Sequence, residues 1–313
     1  MERIQQAIEK ARKQRESGSG SSLERGAGNS LTEDATRAED LVDTFSNDNA
    51  EAKNPETIAP QTRGEKLEQR ERANIASGEV GSSIRIKYSR TRTISLSEKE
   101  LKERFIFAGF AHDKRAEPYR QLRSQILPLF RQNNWRTLAV TSPNKESGST
   151  LTAINLAVSL SLEANQTVLL VDLNLRSPGV ADSFGFGELE AGIVDCIRGD
   201  CGVEDALLNP GFERLVVLPG KPHSAFTSEI LSSPEMRSLK RELETRYPSR
   251  IIIFDLPPVL DNDDALVFAP ECDATLMVIE EGGTKKQELE RAYELLAGSN
   301  VIGSVLNKVR YLS

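Results

Sequence analysis

The sequence predicts an α/β fold with a doubly wound, mainly parallel sheet, preceded by a disordered N-terminal region. Three observations predict it. Apolar runs at 137 to 141, 167 to 172, 214 to 218, 250 to 255, 274 to 279 and 301 to 306 recur with helical patterns between most of them. Within each run the apolar residues are consecutive, as in strands covered on both faces, and such strands joined by helices form parallel sheets with right-handed crossovers. A small polar loop after the first run opens directly into an apolar helical pattern, Arg136-Thr-Leu-Ala-Val-Thr-Ser-Pro-Asn-Lys-Glu-Ser-Gly-Ser-Thr-Leu-Thr-Ala-Ile-Asn-Leu-Ala157. That is the layout of a phosphate-binding loop.

Taken in order, residues 1 to 16 place Ile4, Ala7, Ile8 and Ala11 at helical spacing. They predict a short helix that is marginal alone in water, so it is either ordered by a partner or a solvated terminus. Residues 17 to 94 are expected to form a disordered linker. From Ser17 to about Gly81 the chain is Gly, Ser, Glu, Asp and Ala with Phe45 as its sole aromatic, too little apolar surface to offset the entropy of ordering. Between 85 and 92 stand Arg85, Lys87, Arg90 and Arg92 with no acid among them. This basic patch suits anionic lipid or an acidic partner, and equally a solvated linker. The compact domain is expected from 95 to 313. Ser95 and Glu98 have capping-box spacing for a short first helix, and a longer helix covers about Ala116 to Gln132. Further helical patterns lie at about 150 to 163, 190 to 198, 234 to 246 and 284 to 297, with a shorter one at 262 to 269.

Composition narrows the partners. A net charge of −7 over 313 residues argues against nucleic acid held by general phosphate attraction. The three cysteines, Cys196, Cys201 and Cys272, lack paired metal-site spacing and read as core thiols in a reducing compartment. No run approaches the roughly 18 apolar residues that cross a bilayer, and Met1-Glu-Arg-Ile lacks a following signal-peptide core. The expected location is cytoplasmic. His112 and His223, in loop-like stretches, read as surface or capping groups, and Trp135 as packing.

In open parallel sheets ligands bind at the carboxyl ends of the strands. That rule selects the loop after 137 to 141, Asp172 after Val168-Leu-Leu-Val171, and Asp255 after Ile251-Ile-Ile-Phe254. Two strand-end carboxylates beside a Gly/Ser/Thr loop offer hard oxygen ligands, which suit Mg²⁺ bound together with phosphate. Asp255 fits a carboxylate ordering water around the metal, with a helix cap as its structural alternative. Asp172 fits a general base or metal partner, and Arg176 a bidentate phosphate ligand.

Residues 115 to 310 resemble the cytoplasmic domain of bacterial tyrosine kinases, relatives of the ParA and MinD ATPases that accompany exopolysaccharide synthesis. The branch linked to exosortase loci, tyrosine autokinases that begin with a short helix like Met1 to Arg15, is the nearest in pattern. The resemblance rests on Thr141-Ser142, Asn155-Leu-Ala157, Leu169-Leu-Val-Asp172 with Arg176-Ser-Pro178, Glu229-Ile-Leu231, Arg246-Tyr-Pro248, Asp255-Leu-Pro-Pro258 and Leu306-Asn-Lys308. It implies a P-loop fold that takes ATP or ADP with Mg²⁺. The nucleotide would be cradled by Ser147, Gly148, Ser149, Thr150 and Leu151, with Asn307 on the adenine edge. The metal would be held by Thr150, Asp172 and Asp255, and catalysis carried by Asp172, Arg176 and Asp255. It also implies self-association through the family's Glu-x-x-Arg-x-x-Arg motif, here Glu117, Arg120 and Arg123, and work beside a membrane polysaccharide co-polymerase or chain-length regulator at the inner face of the membrane.

The departures from the family pattern fall where the chemistry would be. Its loop Pro-Gly-Glu-Gly-Lys-Ser-Thr maps onto Lys145-Glu-Ser-Gly-Ser-Thr-Leu151. Ser149 therefore stands at the lysine position and Glu146 at a glycine. Losing a hydrogen bond to a charged group costs roughly 1.5 to 3 kcal/mol, and 1.4 kcal/mol is about tenfold in rate, so impaired transfer is expected. Lys145 is near enough in sequence to substitute in part. Asn174 replaces a second acid, Leu256 a Ser or Thr, and Tyr311 stands where the family carries a tyrosine cluster.

Overall fold

The computed structural model describes residues 91 to 246 and 249 to 309. The helix expected over 1 to 16, the linker up to Arg90, Tyr247-Pro248 and Tyr311 lie outside the described residues. Eight strands form one sheet: β1 (Arg92–Thr93), β2 (Thr137–Thr141), β3 (Thr167–Asp172), β4 (Leu208–Asn209), β5 (Leu215–Leu218), β6 (Arg250–Asp255), β7 (Ala274–Glu280) and β8 (Val301–Asn307). Their order is β1-β4-β5-β3-β6-β2-β7-β8. Every neighbouring pair is parallel except β4 with β5. The helices are α1 (Glu98–Glu103), α2 (Glu117–Asn133), α3 (Ser149–Ser161), α4 (Val180–Ser183), α5 (Ile193–Arg198), α6 (Val203–Ala206), α7 (Thr227–Leu231), α8 (Pro234–Arg246), α9 (Asp264–Phe268) and α10 (Lys286–Leu295).

Alternation along the central strands builds two cores. Leu138, Val140, Val168, Leu170, Ile251 and Ile253 face one layer with Ile126, Phe130, Ile154 and Leu160 of α2 and α3. Ala139, Leu169, Val171, Ile252 and Phe254 face the other with Ile193, Met236, Leu239 and Phe268 of α5, α8 and α9. Burying each such side chain contributes about 1.5 to 3 kcal/mol. These residues therefore hold the strands in register despite the polar groups at the strand ends, and the expected doubly wound architecture holds.

Three details differ from expectation. The sheet begins at Arg92 rather than after the linker. Ile94 N–H bonds the Asn209 carbonyl at 2.9 Å, and the Arg92 guanidinium donates to the carbonyls of Phe186 and Glu188. Backbone pairing thus orders a segment whose composition looks solvated. The capping box of α1 is Ser97 with Glu100, two residues beyond the expected pair. Cys196 and Cys201 are half-buried, their Sγ atoms 3.4 Å apart, and Cys272 alone is a buried thiol. Trp135 packs edge-on against Phe130, as expected.

Asn155 ties α3 to the chain before α2. Its Oδ1 accepts from the N–H groups of Phe107 and Ala108, and its Nδ2 donates to the carbonyls of Phe105 and Leu151. Phe105 is held there at φ 60 in the left-handed region that costs an ordinary residue about 1 to 2 kcal/mol. Asn155→Ala leaves several buried groups unpaired, at about 1 to 3 kcal/mol each. Urea unfolding should show a loss of about 3 kcal/mol or more; a loss under about 1 kcal/mol would contradict this role.

Candidate functional site

The carboxyl ends of β2, β3 and β6 meet where the strand order doubles back, because β6 inserts between β2 and β3. Asp172 and Asp255 stand opposite one another in the β3–β6 register, and Val140 of β2 is the other neighbour of Asp255. Both acids are completely buried. The loop from Ser142 to Gly148 leaves β2 and enters α3, so it faces the same end of the sheet.

The loop holds its own shape. The Asn144 carbonyl accepts the hydroxyls of Ser142 and Ser147, and the Asn144 side-chain amide donates to Glu288 at the start of α10. Gly148 precedes α3 at φ 84, and a Cβ there would lie 2.2 Å from Asn307 Nδ2. Glycine is required at that position both for backbone conformation and for space. Glu146 also has positive φ, 62, so it keeps the backbone of a glycine position at a steric cost. No side chain caps α3, and the first turn of a helix presents N–H groups without intrahelical acceptors together with the positive end of its dipole. Such a terminus accepts an anion.

The acids differ in how they are satisfied. Asp172 accepts N–H bonds from Asn174, Gly179 and Val180 at 3.0 to 3.1 Å. Burial pushes its carboxyl up to about 6, against the pull of those three donors. Among the described residues neither oxygen of Asp255 accepts a well-formed hydrogen bond, although the Thr150 hydroxyl lies near. Burial pushes Asp255 well above the carboxylate range, the Asp172 charge pushes it further the same way, and the Thr150 hydroxyl pulls it down. Gly179 lies against Thr150, since a Cβ on it would meet Thr150 Cγ2 at 3.6 Å. Thr150, Asp172 and Asp255 are thus brought together. Two buried carboxylates, one with both oxygens unmatched, beside a hydroxyl make a hard oxygen donor set that fits Mg²⁺. Bound there, the ion would supply positive charge toward phosphate.

The remaining expected residues take definite places. Ser149 begins α3 and Leu151 lies in its first turn. Ser147 is buried. Asn307 Nδ2 donates to the Ser147 carbonyl at 2.9 Å, so the amide nitrogen fastens the loop to β8. Lys145 Nζ pairs with Asp261 Oδ2 at 2.7 Å. Arg176 Nε donates to Thr227 Oγ1 at 3.0 Å and lies 3.4 Å from Asp264 Oδ2. Sequence reasoning missed Thr227, Asp261 and Asp264. The acidic stretch after Asp255-Leu-Pro-Pro258 was the one signal for Asp261 and Asp264, and it also reads as the start of a helix; Thr227 had none. Arg120 pairs with Glu117 on α2 at 2.9 Å. Arg123 turns onto α3, donating to the Ser159 carbonyl and pairing with Glu163.

Both acids hold protons in the folded state that the unfolded chain releases from about pH 4. Their contribution to stability is present below that range and is lost as pH rises through about 6 for Asp172; the Asp255 shift acts in the same direction. For Asp172, a rise from 3.8 to about 6 corresponds to about 3 kcal/mol. Urea unfolding of metal-free protein should show stability falling from pH 5 to 7.5. Asp255→Asn should exceed the parent at pH 7.5 by about 1 to 3 kcal/mol and flatten the slope; the same slope in both proteins would refute this account.

No protein-family model matches the chain. The tyrosine-protein kinase YwqD of Bacillus subtilis is 31% identical over 194 residues, which cover 61% of this chain and 80% of YwqD. The succinoglycan biosynthesis transport protein ExoP of Rhizobium meliloti is 27% identical over 198 residues, 62% of this chain and 25% of ExoP. The kinase domain of the Escherichia coli tyrosine kinase ETK aligns with a TM-score of 0.60 at 23% identity, covering 73% of this chain and 93% of that domain. The likeness to ETK shows a shared fold. The extent of the match to YwqD shows that the chain belongs to the bacterial tyrosine-protein kinase family.

Proposed function

We propose that this chain is a nucleotide-sensing or scaffolding subunit of exopolysaccharide synthesis and export, with impaired phosphotransfer. The observation that carries this reading is Ser149 at the head of α3, a hydroxyl where the family's loop has a lysine. The nearest lysine in sequence, Lys145, lies in an exposed pair with Asp261. ATP or ADP would lie on the first turn of α3, with Mg²⁺ on Thr150, Asp172 and Asp255. Glu146 at the loop adds repulsion toward a triphosphate. The loop and acids support binding, and the missing cation argues against fast transfer, because preorganised charge at the transferring group is commonly the largest catalytic contribution.

The link to polysaccharide rests on the relation to ExoP. A membrane polysaccharide co-polymerase or chain-length regulator is the expected partner, at the inner face of the membrane. Among the described residues no helix is long and apolar enough to cross a bilayer. Self-association would use Glu117 and Arg120, whose exposed pair re-forms between copies at little cost. Arg123 would have to leave its contacts with α3 to join them.

A second reading, an active ATP-dependent protein-tyrosine autokinase that tolerates Ser149, is favoured by the retained pair Asp172 and Asp255. Titration calorimetry with Mg-ATP, followed by phosphotyrosine detection, separates the two. The proposal expects a dissociation constant tighter than about 100 μM, roughly −5.5 kcal/mol, no labelling of the unmodified chain, and labelling of Ser149→Lys. Strong labelling of the unmodified chain that Asp172→Ala abolishes would establish the kinase reading instead. Weak or absent binding would leave scaffolding.

A further inference from the structure

A site built to receive phosphate needs a cation, and the first turn of α3 carries none. Two cations follow its strand ends in the sequence, and their settings differ. The Lys145 side chain is 71% exposed and its pair with Asp261 is a surface contact, of the kind that contributes roughly 0 to 1 kcal/mol. Arg176, four residues beyond Asp172, is anchored by buried groups. Its Nε donates to Thr227 Oγ1, and the Thr227 hydroxyl donates in turn to Asp264 Oδ1 at 2.8 Å. Thr227 and Asp264 are both fully buried. The other Asp264 oxygen accepts no hydrogen bond and faces Arg176 Nε at 3.4 Å.

Folding alone gives no reason for this arrangement. A fully buried carboxylate with one unmatched oxygen is costly, and a buried pair is weak evidence for stability. The three residues come from the segments that follow β3, β5 and β6, all at the carboxyl end of the sheet. Holding Nε fixes the plane of the guanidinium. Nη1 and Nη2 have no protein partner among the described residues, so they remain as a fork whose geometry matches two phosphate oxygens.

We infer that Thr227 and Asp264 are positioning residues that preset Arg176 as the cation for the terminal phosphate, in place of the charge absent at Ser149. The inference rests on the nucleotide-binding reading above. It makes the ATP-bound state depend on a tie between the segments after β3, β5 and β6, so that discrimination between ATP and ADP resides in Arg176 and not in the loop.

The test is binding of fluorescent ATP and ADP analogues to the full chain with Mg²⁺, with the melting temperature of each variant as a fold control. The unmodified chain should prefer the ATP analogue. Arg176→Ala should weaken it about 10- to 100-fold, the loss expected for hydrogen bonds to a charged group, and change the ADP analogue by less than about threefold. Arg176→Lys should fail to rescue, because a point charge lacks the fork. Asp264→Asn should weaken the ATP analogue alone, by about 3- to 10-fold. Should Asp264→Asn not fold, Thr227→Val carries the test, with Thr227→Ser restoring affinity. Lys145→Ala should bind as the unmodified chain does. ATP binding unchanged in Asp264→Asn or Thr227→Val, or equal losses for both nucleotides, would overturn the inference. Absence of binding by the unmodified chain would remove the nucleotide reading and this inference with it, a result distinguishable because it needs no variant.

Discussion

Like charges at the ends of β3 and β6 set the terms for the rest of the molecule. Asp172 and Asp255 are register partners with no exposed surface, and an arrangement of that kind opposes folding unless a proton or a cation intervenes. It survives because the strands bearing it are clamped from both sides. Leu169, Val171, Ile252 and Phe254 fill one layer while Val168, Leu170, Ile251 and Ile253 fill the other. At about 1.5 to 3 kcal/mol per buried side chain, that packing outweighs the few kcal/mol lost at the strand ends. The three N–H bonds to Asp172, against none to Asp255, divide the burden unequally: Asp172 is the acid prepared to carry charge, and Asp255 is the one that most needs a positive neighbour.

Around this pair the loop before α3 has a fixed form and, in the reading proposed above, lacks a cation of its own. Gly148 cannot carry a side chain against Asn307, Asn144 gathers two hydroxyls on its carbonyl, and Glu146 accepts a strained backbone that a glycine would adopt freely. Side chains for shape are retained, whereas the side chain for electrostatics at position 149 is a serine. The positive charge that remains is distributed outward. Lys145 lies on the rim with Asp261, and Arg176 lies on a buried support of Thr227 and Asp264. A rim lysine moves at little cost, while an arginine fixed at Nε does not, and that difference separates a loosely tethered charge from a preset one.

The central sheet was legible from the sequence because β2, β3 and β6 are uninterrupted apolar runs whose ends coincide with a polar residue or a loop. Asp172, Asp255 and the loop could be placed together from the rule that parallel sheets bind ligands at their carboxyl ends. The short elements were not legible. β1 and β4 have two residues each, too few for any periodicity, and are ordered by hydrogen bonds to distant carbonyls. The helix cap at Ser97 was misplaced because two Ser-x-x-Glu spacings overlap and only tertiary packing of Leu101 chooses between them. The joint role of Thr227 and Asp264 was invisible for the same reason: it lies in meeting Arg176, 51 residues before Thr227 in the chain. The contact of Asn307 was hidden in the same way, since its amide meets the Ser147 carbonyl only because the end of β8 lies close to the loop.

The central claim is that the cradle persists while its own cation is gone, so that charge is supplied from the buried support beside it. A crystal structure of the chain with Mg²⁺ and a non-hydrolysable ATP analogue tests it most directly. The account predicts Mg²⁺ on Asp172, Asp255 and Thr150, the Arg176 guanidinium on the terminal phosphate with Thr227 and Asp264 still behind it, and Lys145 still on Asp261. Lys145 folded onto the terminal phosphate, with Arg176 turned away, would contradict it.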